Sequence, residues 1–274
     1  MKLRDWVDRS KLIYTFLSEN KNAIGLLKEN PDKINWSNLS KNPEAIELLK
    51  ANLDKINWNN LSLNQNAIEL LKENQNKIHW NRLASNPNAS SILRNNIDKI
   101  NLDYLSLNIN GIDLLKKYPD IIEWVFLSAN PNPEAISLLR ENPENIDWYE
   151  LSYNPGAISL IKENPDKIDW RQLSGNKNAI EILKKNPDKI NWATLSTNEN
   201  PDAIELLKQN QDRIDWVCFS INPSIFTYDY EKIKKDFQEL AEEIVAKALH
   251  PKRIFRLIEE YGEDEIYNIY FDDD

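Results

Sequence analysis

Every twenty-two residues the chain repeats itself. An aromatic residue opens a stretch of the form W-x-x-L-S-x-N at Tyr14, Trp36, Trp58, Trp80, Trp124, Trp148, Trp170, Trp192 and Trp216, with Leu102 standing in once. The spacing is 22 residues except for two steps of 24. The full unit reads W-x-x-L-S-x-N-[P/x]-x-A-I-x-L-L-K-x-N-P-D-K-I-[N/D], in nine copies over residues 14–215 and a truncated tenth at 216–222. A fixed period of this length identifies a solenoid, in which no unit buries its own apolar face and each packs on the next.

Within the unit, "NPEAIELLKAN" reads as a helix with Asn42 as N-cap and Pro43 in the first helical position. Ala45, Ile46, Leu48 and Leu49 form its buried stripe, and Asn52 stops it. "INWSNLS" sets Trp36 and Leu39 three apart after Asn35, which predicts a short α or 3-10 helix. A leucine-rich repeat is the competing reading, but its strand needs apolar residues two apart. Here that position holds residues as different as Glu19, Lys41, Ser85 and Gly175. The expected fold is therefore all-α: a solenoid of about nine repeats, each a short helix plus an α-helix. At an interhelix spacing of about 8–10 Å, nine units predict a rod or arc about 80–90 Å long.

The predicted divisions are an N-terminal cap at 1–13, the solenoid at 14–222, and a C-terminal helical cap with an acidic-aromatic tail at 223–274. In the last of these, Tyr230, Ile233, Phe237, Leu240 and Ile244 fall three or four apart on one helix. His250-Pro251 ends it, and "KRIFRLIEEYG" is a second helix closed by Gly262. The tail "EDEIYNIYFDDD" alternates acids with aromatics.

Several columns recur in step. Asparagine is unbroken at Asn20, Asn42, Asn64, Asn86, Asn108, Asn130, Asn154, Asn176, Asn198 and Asn222. It is expected to act as a ladder of amides that satisfies helix ends and neighbouring backbone groups. The tryptophans are expected as core anchors rather than a ligand-stacking row. A column of bases, such as Lys50, Lys162 and Lys184, precedes acids four residues on, which predicts pairing between them.

Insertions before the helix in copies six and nine, "NPNPEA" and "NENPDA", are expected as edge loops. Copy five departs most, with Leu102 for tryptophan, Gly111 for alanine, Tyr118 for asparagine and Ile121 for lysine.

Composition narrows the function. Five glycines leave no phosphate-binding loop, and two histidines with one cysteine supply neither a zinc set nor a catalytic triad. His79 occupies a helix-cap position. The periodic carboxylates are spread along the solenoid instead of converging. The expectation is no enzyme, no cofactor and no metal.

A net charge of −10 disfavours binding to a phosphate backbone, and no apolar run is long enough for a membrane span. The single Cys218 and the charged N-terminus point to an intracellular protein.

The positions that vary freely are the two after each tryptophan and the one after each serine. On them Tyr104, Leu107, Phe126, Tyr149 and Tyr153 gather over copies five to seven, flanked by Arg82 and Arg171. Aromatics with arginine are the chemistry of interface hot spots. Half-buried packing between units is an equal alternative on sequence alone.

The tandem units followed by "ALHPKRIFRLIEEYG" resemble uncharacterised repeat proteins of giant nucleocytoplasmic large DNA viruses. The resemblance implies a viral setting, in host cytoplasm or virion, and no particular activity. The expected function is a protein-binding scaffold. The alternatives are a self-assembling structural protein and capture of a small anion or nucleotide in a concave groove.

Overall fold

The computed structural model describes residues 1–117, 119–263 and 266, apart from the side chain of Leu114. The chain divides into two compact units, residues 3–227 and residues 1–2 with 228–274.

Residues 3–227 form an all-α repeat fold. Copy two shows the local logic. Asn35 caps the helix Trp36–Leu39 through its Oδ1, which accepts the Asn38 N–H at 3.0 Å. Asn42 then caps Pro43–Ala45, a 3-10 turn that leads into the helix Ile46–Lys50. Asn52 ends that helix by donating its Nδ2 to the Leu48 carbonyl at 2.9 Å. Leu39, Ala45, Leu49 and Ile56 are buried, while the Trp36 ring is half-buried against them. The caps match the expectation because each asparagine satisfies a backbone group that the short helix leaves open.

The insertions in copies six and nine lie in short non-helical segments, 130–132 and 198–200, just before the helix. A second capping asparagine, Asn132 or Asn200, follows the ladder residue, and the helix runs unbroken over Pro133–Glu141 and Pro201–Gln209.

Copy five is irregular for a reason that lies in copy four. In the other copies a serine Oγ accepts the N–H of the cap residue of the next copy, as Ser40 does from Asn57 at 3.0 Å. Ala84 has no hydroxyl, and Asn81 Oδ1 takes the Asn101 N–H instead, at 3.1 Å. The following stretch, Leu102–Leu107, is 3-10 rather than α. A Cβ on Gly111 would lie 2.7 Å from the Leu105 carbonyl oxygen, so the alanine of the other copies does not fit there.

The asparagine ladder runs the whole length of the repeat region. Each ladder Nδ2 donates twice, to the carbonyl of the preceding ladder asparagine and to the carbonyl two residues before it. Asn42 reaches Asn20 and Ser18, Asn108 reaches Asn86 and Ala84, and Asn198 reaches Asn176 and Ser174. Asn20 in the first copy does the same, to Ser220 at 3.0 Å and to Asn222 at 2.9 Å. The first copy therefore stacks on the last, and the solenoid is a closed ring of ten copies, not the expected rod or arc.

Both chain ends build the tenth copy. Trp216–Ile221 supplies its first helix, and residues 8–13 supply its close: Asp8 and the 3-10 turn Arg9–Lys11 stand where Asn30 and the 3-10 turn Pro31–Lys33 stand in copy one. The Ile13 N–H donates to Ser220 Oγ at 2.9 Å, which is the serine tie of every regular junction. Where the other copies carry an outer helix, a two-stranded ladder of Lys2–Leu3 and Phe226–Thr227 takes its place. Arg4 fastens it through its N–H to the Ile225 carbonyl at 3.0 Å and its Nε to the Ser224 carbonyl at 2.7 Å. Trp6 stacks on Phe219, ring centroids 5.7 Å apart, and fills the space that the missing helix would occupy.

The boundaries read from sequence shift accordingly. Residues 3–13 are part of the ring, not a cap, and the ring continues through Thr227. With first and last copies in contact, no repeat end is left for residues 223–274 to cover.

Residues 228–263 contain the two expected helices. Asp229 caps Tyr230–Ala248, His250 caps Pro251–Tyr261, and Gly262 follows at φ 92°. Neither helix buries a residue. Most of the acidic-aromatic tail lies outside the described residues.

Candidate inner-wall binding arc

The Trp-bearing helices of neighbouring copies pack directly on one another, while the Ile-x-Leu-Leu helices stand further apart. On a closed ring the layer with the tightest spacing has the smallest circumference. The Trp helices thus line the inner wall, and the other helices form the outside.

The positions after each tryptophan and after each serine face this wall and touch their counterparts one copy away. Asn38 Nδ2 donates to the Thr15 carbonyl at 2.8 Å, and Lys41 pairs with Glu19 at 3.1 Å. Much of the wall is small and uncharged: Thr15, Ser37, Asn59, Asn81 and Ala193 occupy the position after the aromatic. The aromatic residues of copies five to seven interrupt it.

The structure brings most of the expected site residues onto one arc, with different burial. Tyr149 and Tyr153 lie on the helix Trp148–Tyr153 and are 48% and 45% exposed. Arg171, one copy on, is also exposed. Tyr104 and Phe126 are half-buried and pack on each other, centroids 5.4 Å apart at 37°. Leu107 is half-buried. Arg82 lies one copy before the arc, with its Nη1 donating to Asn60 Oδ1 at 2.7 Å. The tyrosines of copy seven are open surface, while Tyr104 and Phe126 pack between units.

Gly175 belongs to the same arc. A Cβ there would lie 2.5 Å from Tyr153 Cε2, so the glycine makes room for the Tyr153 ring over the next copy. Val125, 41% exposed, adds apolar surface beside Phe126. Sequence reasoning passed over both, although both sit in the variable columns. Glu150 is a carboxylate of the arc. Burial pushes its pKa up, and the neighbouring Asp147 adds to the effect.

The tryptophan rings carry a feature that the sequence reading missed. The lysine of the "PDKI" segment lies over the aromatic ring that opens its own copy: Lys55 over Trp36 at 4.6 Å, Lys77 over Trp58 at 4.4 Å and Lys167 over Trp148 at 5.0 Å. The pattern closes with the ring, as Lys11 lies over Trp216 at 5.2 Å. Its signal was the constant lysine nineteen residues after most tryptophans. In copy five Leu102 and Ile121 replace both partners together.

The outer bases do not pair with the acids four residues later. Lys50 binds Glu47, Lys72 binds Glu69 and Lys208 binds Glu205, one turn back. Arg140 reaches across copies to Glu163. The cause is helix geometry: residues three apart share a face, whereas the later acids sit past the helix end.

His79 caps the helix Trp80–Ala84, its Nδ1 accepting the Arg82 N–H at 3.4 Å. Cys218 is half-buried, and burial followed by Asp215 raises its thiol pKa, which disfavours the reactive thiolate. Among the described residues no three His, Cys, Asp or Glu side chains converge as a metal site, and no helix is long and apolar enough to cross a membrane. No family model matches the chain, and no curated protein or solved structure is detectably similar to it.

Proposed function

We propose that the ring is a non-enzymatic binding scaffold for an intracellular protein partner, seated on the inner-wall arc of copies five to seven. The observation that carries this reading is the exposure of Tyr149 and Tyr153 on one helix, with exposed Arg171 at the position of Tyr149 one copy on. Tyrosine and arginine dominate interface hot spots because each offers a large, fairly rigid contact area together with a polar end.

Ring size limits what the partner can present. Ten helices spaced at about 8–10 Å set their axes on a circle roughly 26–32 Å across. Taking away a helix diameter of about 10 Å leaves an opening of roughly 16–22 Å. That admits one helix or an extended segment and keeps out a folded domain, so the ring is suited to a projecting part of its partner.

The test is affinity capture from cells with the wild-type ring and with Tyr149→Ala, Tyr153→Ala and Arg171→Ala combined. These side chains are exposed, so the variant keeps its fold, and loss of the captured partner is the expected result. A partner retained in full by the triple variant would put the site elsewhere. Tyr104 and Phe126 are left intact because they contribute to packing.

A further inference from the structure

The helix Tyr230–Ala248 carries an apolar stripe that nothing among the described residues covers. Phe237 is 70% exposed, Leu240 52% and Ile244 58%. Tyr230, Ile233, Phe237, Leu240 and Ile244 follow one another at intervals of 3, 4, 3 and 4 residues. Their mean period of 3.5 residues keeps the stripe straight along a second helix packed at a shallow angle.

We propose that this helix pairs in parallel with the same helix of a second copy of the chain. Two features select that partner. With Phe237 and Ile244 at one core position of the heptad and Ile233 and Leu240 at the other, the seam is complete and self-complementary, as an isologous two-fold contact requires. The flanking charges then fix the orientation. In a parallel pair, Asp236 and Glu243 approach Ala241 and Ala248 of the other copy, and Asp229 approaches Lys234. In an antiparallel pair, Asp236 would meet Glu243, two like charges at the edge of the seam. The parallel arrangement has one attractive pair and no repulsive one.

Sedimentation analysis of the full chain tests the pairing. A mass of twice 32.1 kDa is expected at high micromolar concentration, falling toward the single-chain value on dilution. Phe237→Glu combined with Leu240→Glu leaves only the monomer. Tryptophan fluorescence checks that this loss is local, since every tryptophan lies between Trp6 and Trp216. Ala241→Glu tests orientation: set against Asp236 in a parallel pair it weakens the dimer several-fold, whereas beside Lys234 in an antiparallel pair it strengthens it. A wild-type chain monomeric at every concentration, a double variant that still dimerises, or a tighter dimer from Ala241→Glu would each overturn the proposal.

Discussion

Asn20 donates a hydrogen bond to the backbone carbonyl of Asn222 at 2.9 Å, across 202 residues of sequence. The same bond links every pair of neighbouring copies, and its recurrence between first and last is what makes the repeat array a ring.

Closure predicts equal energetics at the joint and in the body of the ring. Asn20→Ala and Asn108→Ala each leave two buried carbonyls without their amide donor, at a cost of about 1–3 kcal/mol. In an open array Asn20 would keep only its cap bond to the Asn22 N–H, and its replacement would cost less than that of Asn108. Urea denaturation of the two variants distinguishes these cases, and a clearly smaller loss for Asn20→Ala than for Asn108→Ala would mean that the ring is open.

Copy five predicts a coupled pair. Leu102→Trp or Ile121→Lys alone places one half of a cation–π contact against an aliphatic neighbour, whereas together they rebuild the contact that Lys77 makes with Trp58. A double-mutant cycle is expected to show a favourable coupling of about 0.5–1 kcal/mol. A coupling of zero would separate the two positions.

Glu150 predicts a pH signature. Its pKa is raised in the fold by burial and then by Asp147, so ionisation opposes folding. The stability it allows is fully present below the unfolded carboxylate pKa and is lost as pH rises through the folded one. Glu150→Gln is therefore expected to raise the melting temperature at neutral pH, by a margin that shrinks as pH falls into the carboxylate range. A margin independent of pH would show that burial of the charge is not its source.

How far the sequence revealed this depended on how local each feature is. Asn42, Pro43 and Leu49 act within their own copy or on the next, so the period, the caps and the buried stripe were all legible. The ring was not, because its tenth copy is divided: Asp8, Lys11 and Leu12 repeat the positions of Asn30, Lys33 and Ile34, but they precede the first complete unit and read as a cap. The site was half legible. Variable columns located the wall, but whether a ring is packing or surface depends on its neighbour one copy away. Tyr104 has Phe126 there, while Tyr153 has Gly175.

The split tenth copy also bears on how the molecule comes apart. A linear repeat array frays from its ends, where a copy is held by a single neighbour and opens at the expense of one interface. Here no copy has only one neighbour, so the first to open must release two. At the joint no covalent link ties the two faces together, so Arg4, Ile13 and Trp6 can lift away from Ile225, Ser220 and Phe219 as a strap. The ring thus has a seam where residues 3–13 meet residues 216–227, and amide exchange is set to begin there.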